Sequence, residues 1–214
     1  MKTYQIHFIR HGLTDGNLTG KYIGGTDSPL CEKGEKDLVS LSENFDYPGA
    51  GAYFSSPLKR CLQSMKLLYP QVEPIIINEL RECSFGDFEG MTAEELKNNE
   101  DFKEWMSAPA DFAPPGGESG QRFSERISEA FEAIVNGLLK TGITSAVIMT
   151  HGGVISTLLS KYGLPQADPS EWYCEPGGGF SVRIHPQLWM TGNVVEVYSR
   201  LPIEKTADSD DDEE

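Results

Sequence analysis

The apolar positions of this chain fall into two patterns: short unbroken runs, and stripes three or four residues apart. Their alternation predicts an α/β fold. Tyr4–Ile9 is apolar, β-branched or aromatic, holds no Gly or Pro, and reads as a strand buried on both faces. Ala52–Ser55, Ile75–Ile77 (short and buried) and Ser145–Met149 read as further core strands. Phe180–Ile184 and Val194–Tyr198 read as two more, joined by a turn containing Pro, Gly and Asn. Helical spacing recurs at Leu38, Leu41 and Phe45 within residues 32–45, and at Leu58, Leu62, Met65 and Leu68 after Ser56-Pro57. The longest stripe is Phe123, Ile127, Ala130, Phe131, Ile134 and Leu138, and another helix carries Val154, Ile155, Leu158, Leu159 and Tyr162. Residues 92–106 read as one helix, with Thr92 as N-cap and Glu95 closing a capping box. Tyr22–Gly34 is loop, and Ala108–Gly120, rich in Pro and Gly, is a long loop expected to act as a lid.

Composition narrows the class. A chain of 214 residues with 38% hydrophobic content and a mean hydropathy of −0.37 fits one soluble domain. No apolar run approaches the ~20 residues of a membrane span, and no signal-peptide core follows Lys2, so the expected compartment is the cytoplasm. Residues 204–214 contain seven acids and one Lys; they account for −6 of the net charge of −15 and leave −9 for residues 1–203. The expected layout is therefore a domain over 1–203 and a disordered acidic tail over 204–214. A body that acidic argues against nucleic acid or an anionic membrane as partner, and oligomeric state is not readable. The four cysteines, Cys31, Cys61, Cys83 and Cys174, form no CxxC pair and read as free thiols. None has Arg six positions on, so the signature of cysteine phosphatases is absent. No metal is expected: His7 and His11, four apart on a strand, stand ~13 Å from each other.

The chemistry gathers at strand ends. The first strand stops at Arg10-His11-Gly12, and the strand at 145–149 stops at Thr150-His151-Gly152-Gly153 before a helix. Open α/β sheets hold ligands at the carboxyl edge of their strands, where these two sites would meet. Arg10 offers a planar fork of donors suited to phosphate, and His11 a nucleophile partly neutral at pH 7. Together they point to phosphoryl transfer onto an imidazole. Arg60 lies at a helix start, where backbone N–H groups also favour anions. Glu82, Asp87 and Glu89, set among aromatics and glycines, are candidates for an acid whose pKa burial raises. The stretch Gly16–Tyr22 is not a P-loop, since it has three residues between its glycines and Tyr22 in place of Ser or Thr. His7, mid-strand, reads as structural and His185 as a surface residue.

Six segments in order resemble the histidine phosphatase superfamily in its phosphoglycerate mutase-like branch. They are IRHGLTDGN (9–17), YIGGTDSPLCEKG (22–34), SSPLKRCLQS (55–64), LRECSFGDFEG (80–90), PPGGES (114–119) and THGGVI (150–155). Cys31 stands where Thr is usual, a change expected to be harmless. The resemblance implies a three-layer fold with a mostly parallel central sheet flanked by helices, and a two-step mechanism with neither metal nor cofactor. His11 resembles the nucleophile that becomes phosphorylated. Arg10, Arg60 and a protonated His151 resemble the pocket for the phosphoryl oxygens, with Thr14, Asn17, Gly24 and Gly152 as further phosphate contacts. Glu82 matches the proton donor to the leaving alkoxide, favoured by Phe85 and Phe88, with Glu89 and Glu118 as alternatives.

The implied activity is hydrolysis of a phosphomonoester of a small soluble metabolite through a phosphohistidine; the alternative is a cofactor-dependent phosphoglycerate mutase. Residues 83–118 hold Lys97 and Lys103 against nine acids, and an acidic lid of that kind would hold a second phosphate poorly. Hydrolysis is therefore the expectation, with Arg122 and Arg126 able to offset the acids if their helix turns them inward.

Overall fold

The structure, a computed structural model, describes residues 2–108 and 111–205. The strands are β1 (Tyr4–Arg10), β2 (Phe45–Asp46), β3 (Ala52–Ser55), β4 (Ile75–Ile76), β5 (Ser145–Thr150), β6 (Gly163–Leu164), β7 (Gly179–Ile184), β8 (Val195–Leu201) and β9 (Ile203–Glu204). The helices are α1 (Asp15–Leu18), α2 (Glu32–Asn44), α3 (Lys59–Leu68), α4 (Ala93–Leu96), α5 (Glu100–Ser107), α6 (Gly120–Thr141), α7 (Gly152–Tyr162) and α8 (Pro186–Gly192). Seven strands form one sheet in the order β4-β3-β5-β1-β7-β8-β6, and β7 alone runs against the other six. A separate pair, β2 with β9, brings Glu204 into the fold, whereas the acidic segment 206–214 lies outside the described residues.

Burial on both faces explains the unbroken apolar runs of β1 and β5. Ile6, Phe8, Ala146 and Ile148 face a core built with α6, α7 and α8, while Ile9, Val147 and Met149 face Cys61, Met65 and Tyr69 on the α3 side. The result is three layers, as the resemblance implies. Parallel pairing of β1 with β5 sets Arg10 opposite Thr150, so both strands end side by side. The chain proceeds from β1 toward β3 on one side and from β5 toward β6 on the other. Their shared carboxyl edge is thus the switch point where such sheets leave a crevice.

Four local expectations change. Ile75 and Ile76 are not buried: they are 58% and 46% exposed, because β4 is the outermost strand. The helix expected over 92–106 is two helices. Thr92 and Glu95 do form the capping box of α4, but Asn99 caps a second start by accepting from the Phe102 N–H. The turn between the last two sheet strands contains α8, with Pro186 at its start and Asn193 in the left-handed region at its end. On α3 the buried stripe is Arg60, Cys61, Ser64 and Met65, leaving Leu62 half-buried. Of the long loop, residues 109 and 110 lie outside the described residues. Its later part packs on the 84–87 turn through Asp87 N–H to Pro115 O and Glu118 N–H to Ser84 O, both 2.9 Å. Gly86, at φ +53°, meets the Pro115 carbonyl where a Cβ would collide.

Candidate active site

His11 begins where β1 ends, and its environment fixes its chemistry. Nδ1 donates to the carbonyl of Gly12 at 2.6 Å, so the lone pair is on Nε2. Burial, then the nearby Arg60 and Arg10, push its pKa down to about 3. The ring is therefore neutral and nucleophilic across the physiological range. Arg10, the preceding residue, anchors one NH1 donor on the Cys174 carbonyl at 2.7 Å and lies 5.6 Å from the Tyr173 ring centroid. Its Nε is buried without a partner among the described residues, an unspent donor beside the nucleophile. Gly152 lets that guanidinium lie close, since a Cβ there would sit 3.4 Å from Arg10 Nε.

His151, at the end of β5, is fully buried, and its ring stands edge-on to that of His11 at 5.2 Å. Arg60 Nε donates to its Nδ1 at 3.3 Å, and the Ser56 hydroxyl sits 2.8 Å from its Nε2. That places the ring proton on Nε2 and leaves His151 neutral, held well below its ordinary pKa by burial and then by His11 and Arg60. The expected protonated His151 is thus not what the free site contains. Arg60 is itself only 1% exposed, and three of its five donors go to His151, Thr26 O and Gly24 O. It braces His151 and the 24–26 loop while two N–H groups remain.

Of the four candidate acids, Asp87 is exposed and lines no part of the site, and the other three separate cleanly. Glu82 accepts from the N–H of Cys83 at 3.0 Å and of Gly153 at 2.9 Å, and burial raises its pKa against those bonds and both arginines. A Cβ at position 153 would overlap Glu82 Oε1, so the second glycine of THGG is what admits the carboxyl. Phe85 and Phe88 join Tyr22, Phe102 and Trp105 in an aromatic cluster. Glu89 is a clamp, gathering the amides of Gly24, Gly25, Thr26 and Phe85 together with the Thr26 hydroxyl. Burial works against its charge, but those bonds hold its pKa low. Glu118 pairs with Arg126 at 2.6 Å.

Arg10, His11, Asn17, Glu82 and Gly152 share one chamber of about 390 Å3, which Ser156, Ser170 and Tyr173 also line. Arg60 and His151 do not line it, although the His151 ring is 5.2 Å from that of His11. Two expected phosphate contacts are differently employed. The Thr14 hydroxyl and amide bond to Asn17 Oδ1, leaving the Asn17 NH2 as the group a phosphate could use. The Gly24 N–H is taken by Glu89, and a Cβ at Gly24 would overlap the Cys83 carbonyl. Sequence reading missed Ser56, Gly153 and Tyr173. The first two stand inside segments it quoted, whereas Tyr173 comes from a loop with no local signal.

Among the described residues no cluster of three His, Cys, Asp or Glu side chains could hold a metal, and no helix is long and apolar enough to cross a membrane. The family model for the histidine phosphatase superfamily (branch 1) matches residues 6–191. The chain belongs to that superfamily. It is 25% identical to an adenosylcobalamin/alpha-ribazole phosphatase of Salmonella typhimurium, over 93% of this chain and 95% of that one. A 2,3-bisphosphoglycerate-dependent phosphoglycerate mutase of Rhizobium etli is 29% identical over 70% of this chain and 76% of that one. The crystal structure of the alpha-ribazole phosphatase from Shigella flexneri superposes with a TM-score of 0.77 at 24% identity, covering 94% of this chain and 96% of that one. That last likeness supports the fold, and the family membership makes this a histidine phosphatase.

Proposed function

We propose that this protein hydrolyses phosphomonoesters of small soluble metabolites in the cytoplasm through a phosphohistidine at His11. The observation that carries the reading is the pairing, in one chamber, of a neutral His11 Nε2 with a carboxyl group whose pKa burial raises, Glu82. In the first step Nε2 attacks phosphorus, the P–O bond to the leaving group breaks, and Glu82 gives its proton to the departing oxygen. In the second the Glu82 carboxylate takes a proton from water, the resulting hydroxide attacks phosphorus, and the P–N bond breaks. Phosphate leaves and His11 returns to its neutral form.

Charge on the transferring group spreads over three oxygens, so positioned donors supply most of the catalysis. The free Arg10 Nε and the Asn17 NH2, both on the chamber, are suited to that task, and Arg60 adds its charge from beside His151. His151, held by Arg60 on Nδ1 and by Ser56 on Nε2, stands neutral beside the nucleophile with its ring 5.2 Å from that of His11. Water access favours hydrolysis over transfer back to substrate: Tyr173, on the chamber wall, is 57% exposed, so the chamber opens to solvent. The phosphatase relative also spans more of this chain than the mutase relative does.

The deciding experiment is rapid quench during turnover, followed by mapping of bound phosphate. An acid-labile label on His11, absent from His11→Ala, is expected; label on Ser or Cys would refute the mechanism. Supplying 3-phosphoglycerate with catalytic 2,3-bisphosphoglycerate should release phosphate faster than it isomerises the substrate. Isomerisation a hundredfold ahead would favour the mutase reading.

A further inference from the structure

Ser64, on the second turn of α3, is 0% exposed, and its hydroxyl is used twice. It donates to the Arg60 carbonyl one turn back at 2.6 Å and accepts from the Gly12 N–H at 2.9 Å. The first bond is common for a serine inside a helix. The second crosses 52 positions of sequence to reach the residue that follows the nucleophile. Because the hydroxyl proton goes to Arg60, what Ser64 offers Gly12 is a lone pair.

Gly12 in turn sets the ring of His11. Nδ1 donates to the Gly12 carbonyl at 2.6 Å, and that bond keeps the lone pair on Nε2. The backbone of His11 is already fixed, since its N–H donates to the Thr150 carbonyl and its own carbonyl accepts from the Gly177 N–H. What remains to be set is the direction of the Gly12 carbonyl, in a residue type with wide backbone freedom. A side chain at that position could not stiffen it, because a Cβ there would lie 2.6 Å from Leu38 Cδ1. Gly12 is buried and its N–H must find a partner, which α3 supplies. The same helix makes one more tie nearby, from the Leu30 N–H to Gln63 Oε1 at 2.8 Å, but that bond reaches neither His11 nor Gly12.

We propose that Ser64 is a positioning residue for the nucleophile: by accepting from Gly12 it aims the Gly12 carbonyl at Nδ1, and so holds the Nε2 lone pair toward phosphorus. The inference rests on the phosphohistidine reading above. Ser64 does not line the chamber and acts through Gly12. Arg60 stands one turn before it on the same buried stripe, with its side chain on His151 and its carbonyl on Ser64. One turn of α3 thus braces both histidines. The spacing between that arginine and the nucleophile is carried by regular helix and not by a loop.

Ser64→Ala should lower kcat for 4-nitrophenyl phosphate by about tenfold to a hundredfold, the cost of a nucleophile held slightly out of place. Inorganic phosphate should inhibit this variant at an unchanged concentration, because Arg10 and Asn17 are untouched. In protein carrying isotope-labelled histidine, the imidazole nitrogen shifts of wild-type His11 should show the Nδ1–H tautomer alone, and those of Ser64→Ala a mixture of both. Ser64→Thr keeps the accepting oxygen and should restore both kcat and the single tautomer. Ser64→Cys, close in volume and a weaker acceptor, reads the same quantities if the alanine variant does not fold. Gln63→Ala removes the tie at Leu30 and should lower the melting temperature with kcat unchanged. An unchanged kcat in Ser64→Ala, or a reduced kcat with the single tautomer intact, would overturn the assignment. An equal loss of kcat in Gln63→Ala would also overturn it, by making general loosening of the loop the cause. The tautomer is read without turnover, so a wild-type protein that hydrolyses no ester would count against the phosphatase reading alone.

Discussion

At Glu82 two opposed influences meet, and their balance sets the pH behaviour. Burial raises its pKa, while the Cys83 and Gly153 amides and both arginines lower it; the outcome is a raised value. Glu82 gives up its proton as pH rises through that value, so the acid for the first step is lost on the alkaline side. His11, with a pKa of about 3, stays neutral through the mildly acidic range and sets no limb there. Glu82→Gln should therefore slow alkyl phosphates by about 10²–10⁴-fold and abolish their alkaline limb. It should cost 4-nitrophenyl phosphate far less, because that leaving group departs without a proton. Equal losses on both esters, or a surviving limb, would remove Glu82 from the acid's place. The residue scale is also where sequence was most informative about position: Arg10, His11 and Glu82 were read from it as neighbours, and the structure brings them to one chamber. What could not be read was protonation, because it depends on contacts such as Arg60 Nε to His151 Nδ1 that join residues 91 positions apart.

Among elements, the unbroken runs of β1 and β5 and the stripe of α6 were legible because each has one stable way to bury its apolar atoms. Ile75–Ile77 misled because three isoleucines look alike at the centre of a sheet and at its edge. The 92–106 helix misled because Asn99, a second cap, competes with helix propagation over only a few residues. Glycines carry more of the site than their lack of side chain suggests. Gly24 and Gly153 both touch the Glu82–Cys83 segment, but with different consequences. A Cβ at Gly24 would strike backbone, the Cys83 carbonyl; a Cβ at Gly153 would strike the Glu82 carboxylate, a movable side-chain end. Gly24→Ala should therefore lower the melting temperature markedly, whereas Gly153→Ala should keep most of the stability and lose kcat. Thermal unfolding and steady-state rates on the two variants check this, and a reversal of the order would contradict the assigned contacts.

The molecule as a whole carries an acidic surface around a site of buried neutral histidines, and that combination should fix how stability varies with pH. His7, His11 and His151 all have pKa values lowered by burial, His11 to about 3. In the unfolded chain each takes up a proton near pH 6.5, while in the folded chain it does not. Below pH 6.5 the unfolded state therefore binds more protons, and stability falls as pH falls from about 6.5 toward about 3. Each such histidine removes at most about 1.4 kcal/mol per pH unit in that window. Glu82 acts oppositely, because its folded pKa is raised: its contribution is present below the unfolded value and lost as pH rises through the folded one. Glu89, with a lowered pKa, adds to the acid loss only below its unfolded value of 4.5. Three histidines against one glutamate leave a net decline toward acid, beginning well above the range where carboxylates titrate. The melting temperature should be higher at pH 7 than at pH 5, and the difference should shrink in His11→Asn/His151→Asn, which removes two of the three groups. Saturating phosphate should also shrink it, because an anion bound in the chamber offsets the cost of a proton on His11 in the folded chain. A wild-type melting temperature that is flat or rising from pH 7 to pH 5 would show that these histidines are not held neutral, and with them the proposed nucleophile.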